Sequence, residues 1–177
     1  MLDLKQLESY LRTHVNNFSG PITIKAFPNG QSNPTFLLTT PSKKYVLRKK
    51  PEGELLKSAH AVEREFCVQN ALLGTDVPVA RVLHLCLDIN VLGTEFYVME
   101  FADGRIFWDP ALPDLSSCDR PKVYAEMARV LAAIHSVDLN ATGLQNFGKT
   151  GSYFARQLRR WSSQYEASRN KLSSEMD

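Results

Sequence analysis

The spacing of apolar residues in this chain changes period more than once, and that change restricts the fold more than any single motif does. Ile22 to Phe27, Thr35 to Thr39 and Tyr45 to Lys49 alternate as short strands, with Pro28-Asn29-Gly30 and Pro41-Ser42 supplying the turns of a meander. From Lys57 to Leu73 the period is helical, with Val62, Phe66, Gln69 and Leu73 on one stripe and Gly74 placed to cap the end. Val82 to Asp88 and Thr94 to Met99 return to strand character, joined by a loop through Asn90 and Gly93. A leading amphipathic helix carries Leu4, Leu7, Leu11 and Val15 and ends near Gly20-Pro21. Past Gly104 the signals are all helical. A connector rich in Pro and Ser leads to a helix from Pro121 to about Val137, capped by Asp119 or Ser117, and then to a helix from about Ser152 with Phe154, Leu158, Trp161 and Tyr165 on one face. The pattern predicts an α+β fold: a five-stranded antiparallel lobe with one helix over residues 1–104, then the first helices of a helical lobe over 105–177.

Within that frame one charged pair is singled out by phase. Alternation puts Val46 and Arg48 on the same strand face, and Glu65 lies about 60° from Val62 because each helical residue advances about 100°. Glu65 is therefore turned inward, whereas Glu63 points to the flank. An inward carboxylate requires a cation, and Arg48, 17 positions earlier on the adjacent strand, can reach it while still offering donors to phosphate. The alternative is a structural ion pair with no ligand. Between the first two strands, Gly30 allows close backbone approach and Ser32 and Asn33 offer side-chain donors, a chemistry that suits an anion, with a plain hairpin as the alternative.

Composition limits the partners. With 21 basic and 19 acidic residues the net charge is +2, too balanced for a nucleic-acid or anionic-membrane surface, so any anion must be bound locally. Cys67, Cys86 and Cys118 have no second ligand at metal spacing and read as ordinary thiols. No targeting signal stands at the N-terminus and no segment is long and apolar enough to cross a bilayer, which gives an intracellular expectation.

Several motifs together carry a resemblance. Val62-Glu63-Arg64-Glu65, Val77-Pro78-Val79-Ala80-Arg81-Val82-Leu83-His84, Ala102-Asp103-Gly104 and Ile134-His135-Ser136-Val137-Asp138 resemble aminoglycoside phosphotransferases and their kinase-like relatives. Ser32-Asn33-Pro34-Thr35-Phe36, Tyr45-Val46-Leu47-Arg48-Lys49-Lys50-Pro51, Gly93-Thr94-Glu95-Phe96-Tyr97-Val98-Met99-Glu100 and Gly104-Arg105-Ile106-Phe107 resemble, more narrowly, the kinase-like domain at the front of acyl-CoA dehydrogenase family members ten and eleven. The resemblance covers nearly the whole chain.

It implies a protein-kinase-like fold that binds ATP. Arg48 matches the strand-three lysine that contacts the phosphates, with arginine in its place, and Glu65 matches its helix partner. The loop of Gly30, Ser32 and Asn33 matches the segment that covers the phosphates, and the carbonyl of Glu100 and the amide of Ala102 match the hinge groups that hold adenine. Mg²⁺ is implied for the complete domain, FAD only for a fused dehydrogenase domain, and hydroxylated acyl-CoA as the substrate of the full-length protein, with peroxisome or mitochondrion as its compartment. From Ala111 to Asp177 there is no His-x-Asp-x-x-x-x-Asn loop, and after Asp138 the only aspartate is Asp177. His135, at the end of an apolar helix, reads as structural. The expectation is thus the ATP-binding portion of a phosphotransferase domain, inactive by itself; the alternative is a non-catalytic isoform that binds a nucleotide or a partner.

Overall fold

The computed structural model describes residues 3–28, 32–53, 60–148 and 151–168. Five strands, β1 (Thr23–Ala26), β2 (Thr35–Thr39), β3 (Lys44–Lys49), β4 (Val82–Cys86) and β5 (Phe96–Glu100), form one sheet in the order β1-β2-β3-β5-β4, every neighbouring pair antiparallel. The expected α+β lobe is present, and the meander β1-β2-β3 is extended by the β4-β5 pair, whose central member β5 lies against β3.

Paired residues in an antiparallel ladder share a face, so the register sorts the side chains. Val46 with Met99 and Arg48 with Tyr97 lie on one face; Tyr45, Leu47, Phe96 and Val98 lie on the other. The second face is covered by α1 (Leu4–His14) and by a short helix α3 (Ile89–Leu92). Leu7, Leu11, Val15 and Phe18 pack there on Leu38, Tyr45, Leu47, Phe96 and Val98, each buried side chain contributing about 1.5–3 kcal/mol. Asp3 starts α1 by accepting the amides of Lys5 and Gln6 at 3.0 and 3.1 Å. The first face takes α2 (Val62–Leu72), which seats Val62 and Phe66 on Val82, Leu85, Tyr97 and Met99.

Three local details depart from the sequence reading. The stretch between β4 and β5 is a capped helix, α3, rather than a loop: Asp88 accepts the Asn90 amide at 2.9 Å, and Gly93, at φ +77°, closes it in a conformation that glycine adopts without strain. Helix α2 starts at Val62 rather than Lys57, because His60 at φ +60° is outside helical backbone; residues 54–59 lie outside the described ones. A bulge at the start of β4 shifts the pairing between Val82 and His84, which turns His84 to the α1 side, where the Tyr10 hydroxyl and His84 Nε2 are 2.9 Å apart.

Beyond Glu100 the described residues form no further strand. An irregular segment leads to α4 (Arg120–His135) and α5 (Tyr153–Ser168), matching the expected helices. Asp119 precedes α4 without a side-chain cap bond; its carboxylate is taken by the Ser116 hydroxyl at 2.7 Å and Lys122 Nζ at 2.8 Å. His135 sits in the last turn of α4.

Candidate functional site

Strand pleat and helix phase bring Arg48 and Glu65 together on the α2 side of the sheet. Arg48 Nε donates to Glu65 Oε2 at 2.5 Å and Nη2 to Oε1 at 3.1 Å, a bidentate pair. On its other edge the guanidinium donates from Nη1 to Thr35 Oγ1 at 3.0 Å, with a longer contact to the Asn33 carbonyl at 3.5 Å. An arginine side chain has five N–H donors. Four are therefore directed at the protein, and one on Nη2 remains.

Glu65 accepts from more than Arg48. The Tyr97 hydroxyl donates to Oε2 at 3.1 Å, Gln69 Nε2 donates to the Tyr97 oxygen at 2.9 Å, and Asn33 Nδ2 donates to Oε1 at 2.8 Å. Burial favours the neutral carboxyl, but the hydrogen bond and charge of Arg48, joined by Tyr97 and Asn33, outweigh it and hold Glu65 below the usual carboxylate range. Glu65 in turn raises Arg48 further. Burial, then the Glu65 charge, pushes Tyr97 up to about 12, so its hydroxyl stays a donor.

Arg48, Glu65, Gln69 and Tyr97 of this network line a cleft of about 590 Å³ on the α2 side of the sheet, together with Arg64, Val68, Met99 and Phe147. With Arg48 and Arg64 against Glu65, its lining carries one net positive charge, which favours an anionic occupant.

The other sequence-selected residues fall differently. Asn33 is 2% exposed, its amide committed to Glu65 and its Oδ1 3.0 Å from His60 Nδ1. It supports the pair from within, and the Pro34 carbonyl accepts the Lys49 amide at 3.0 Å, tying the chain just after Asn33 to the end of β3. Ser32 is exposed, and Gly30 lies outside the described residues. The Glu100 amide donates to the Arg81 carbonyl at 2.8 Å while its carboxylate pairs with Lys43 Nζ at 2.7 Å; Ala102 is exposed in the irregular segment after β5.

Sequence reasoning missed Thr35, His60, Gln69 and Tyr97. Tyr97 had a usable signal: it alternates with Met99, so it faces α2 whenever Met99 does. Among the described residues no group of three or more His, Cys, Asp or Glu side chains could hold a metal ion, and no helix is long and apolar enough to cross a membrane.

Comparison with known proteins converges with this geometry. The profile of the phosphotransferase enzyme family matches residues 23–176. Acyl-CoA dehydrogenase family member 10 of Mus musculus is 49% identical over 162 residues, 91% of this chain and 15% of that protein. Acyl-CoA dehydrogenase family member 11 of the same species is 44% identical over 179 residues, covering 99% and 23%. Probable acyl-CoA dehydrogenase IBR3 of Arabidopsis thaliana is 52% identical over 150 residues, covering 82% and 18%. The chain thus spans less than a quarter of these relatives. Among solved structures, a protein of Ralstonia eutropha provisionally assigned to the aminoglycoside phosphotransferases superposes with a TM-score of 0.78 at 48% identity, over 97% of this chain and 49% of that one. An aminoglycoside phosphotransferase in complex with AMP-PNP and hygromycin B, 20% identical, shares the fold at a TM-score of 0.50 over 76% of this chain.

Proposed function

The chain belongs to the phosphotransferase enzyme family, and on that premise we propose that the cleft beneath α2 is the phosphate end of an ATP site. Residues 1–104 are then the nucleotide-binding lobe of a small-molecule kinase domain. The observation that carries this reading is the Arg48–Glu65 pair. Glu65 fixes the orientation of the guanidinium, and the remaining Nη2 donor meets a phosphate oxygen without first having to be ordered. Adenine lies against Val46 and Met99, which share the face of Arg48, and bonds to the backbone of Glu100 and Ala102.

Phosphoryl transfer also requires Mg²⁺ beside the phosphates and a carboxylate that positions the acceptor hydroxyl. The described residues offer no ready ligand set, so the chemistry attributed to them stops at binding and orienting the nucleotide. For the protein that contains the whole domain, the likeness to acyl-CoA dehydrogenase family members 10 and 11 supports a hydroxyacyl-CoA as acceptor. Its hydroxyl oxygen would attack the γ-phosphorus as the bond to ADP breaks, with the hydroxyl proton passing to the positioning carboxylate.

Two assays test the reading at its two levels. A fluorescent ATP analogue should bind the isolated chain, be displaced by ATP and fail to bind Arg48→Met; equal binding by wild type and variant would exclude the cleft as the phosphate site. With the complete domain, mass spectrometry should find ADP and a phosphorylated acyl-CoA when hydroxyacyl-CoA is the acceptor. Phosphorylation of an aminoglycoside in its place would overturn the substrate class and leave the nucleotide site standing.

A further inference from the structure

Neighbouring residues of α2 serve two different parts of the molecule. Successive helical residues point about 100° apart, so while Glu65 faces the sheet, Arg64 leans toward the chain that follows α4. There its guanidinium carbon lies 3.9 Å from the centre of the Phe147 ring, and Nη2 donates to the Phe147 carbonyl at 3.1 Å. A flat cation on an aromatic face with a directed hydrogen bond holds both distance and angle, a combination suited to arginine and not to lysine.

Phe147 is itself held in place. Asp138 Oδ1 accepts the amides of Asn140 and Ala141 at 2.8 and 3.1 Å, and the Asp138 carbonyl accepts the Thr142 amide at 3.0 Å. The Leu144 amide then donates back to Leu139 at 2.7 Å and the Phe147 amide to Leu144 at 2.9 Å. This run of closed turns fixes Phe147 to the end of α4, across 83 positions of sequence from Arg64.

Helix α2 is thus tethered on two sides, by Val62 and Phe66 on the sheet and by Arg64 on Phe147. The second tether attaches off the helix axis, where it opposes rotation about that axis. A turn of about 20° at a side-chain radius of about 5–6 Å moves a carboxylate by about 2 Å. That is enough to break contacts of 2.5 and 3.1 Å.

We propose that Arg64 is a positioning residue for the nucleotide cleft: by docking on Phe147 it sets the rotation of α2, and so the hold of Glu65 on Arg48. The proposal rests on the reading of the cleft as a nucleotide site only for its consequence; the coupling itself is a property of the unliganded chain.

The test follows the Arg48 Nε–H resonance by NMR, first without nucleotide. In Arg64→Ala and in Phe147→Ala it should shift and exchange with water about tenfold faster, while amide signals of the α1 face, such as Leu7 and Val98, stay in place. Phe147→Tyr, which keeps the ring, should restore it. Arg64→Ala removes both the ring contact and the bond to the Phe147 backbone carbonyl, whereas Phe147→Ala removes the ring contact alone, so the double variant should be no worse than Arg64→Ala. Affinity for ATP should fall about tenfold in the same variants. An unchanged Arg48 resonance in Arg64→Ala, additive effects of the two substitutions, or loss of the α1-face signals as well would each overturn the proposal. If the Arg48 signal responds as described while even the wild-type chain fails to bind ATP, Arg64 keeps its role and the nucleotide reading fails.

Discussion

Arg48 meets Glu65 side-on, through Nε and Nη2 together, while its far nitrogen, Nη1, is turned to Thr35. A lysine could satisfy one carboxylate oxygen but could not bridge both and reach Thr35 as well. Arg48→Lys should therefore keep the charge and loosen the site. Glu65→Gln should be the more damaging of the two for ATP binding, because it frees the guanidinium from its fixed orientation. Each is expected to lower stability by about 1–2 kcal/mol, around and below the lower end of the range for charged hydrogen bonds because both side chains retain solvent access. Urea unfolding of the two variants beside wild type checks the order and the size.

Asn33 yields a second expectation. It is buried between Glu65 and His60, so Asn33→Ala removes a donor to a partly buried carboxylate and should cost about 1–3 kcal/mol. Asn33→Asp should be worse at pH 7 than at pH 4, since an ionised aspartate would face Glu65. Thermal melts at the two pH values, each referred to wild type at the same pH, give the comparison.

The α1 side predicts a pH dependence of its own. Burial, then the charge of His14, holds His84 below its ordinary value of 6.5. Its neighbours there are Tyr10 and His14 from α1, and Tyr10 in turn meets Cys86 at the end of β4 and the charge of Asp88, which caps α3. A base with a lowered folded-state pKa leaves stability unaffected above 6.5 and subtracts from it as pH falls below that value, because the unfolded chain takes up the proton first. Glu65 acts in a separate window, its contribution full above 4.5 and lost as pH falls further. Stability measured from pH 7.5 to pH 5 should decline in wild type and stay flat in His84→Gln.

The apolar faces that α4 and α5 each expose supply a fourth prediction. Met127 and Leu131 are 61% and 54% exposed on α4, and Phe154 and Trp161 are 85% and 63% exposed on α5. Apolar patches of this kind drive association. The chain should bind a hydrophobic dye and elute above its monomer mass in light-scattering chromatography, and Leu131→Gln with Leu158→Gln should reduce both without lowering the melting temperature. A dye-silent wild-type monomer would contradict this.

How much of this was legible in the sequence depends on the range of each interaction. Arg48 and Glu65 could be paired because period-2 and period-3.6 phase are local properties that survive folding. Helix α3 could not be read by period, since four residues complete barely one turn, although Asp88 and Gly93 stood at its two ends as cap residues. The burial of Asn33 was not legible, because a loop sequence does not reveal whether a side chain faces a ligand or the core. Arg64 and Phe147 were out of reach, for nothing local at either position points to a partner 83 residues away.

The measurement that bears most directly on the nucleotide site is an NMR titration of the isolated chain with ATP, with and without Mg²⁺. The account predicts saturable shifts at the Arg48 Nε–H and at the amides of Val46, Met99 and Ala102, with weak affinity, Kd about 0.1–1 mM or −5.5 to −4.1 kcal/mol. It predicts little change on adding Mg²⁺ and loss of the shifts in Arg48→Met. Saturable shifts confined to other residues, or none at all, would contradict it, as would a Mg²⁺-driven gain in affinity of tenfold or more.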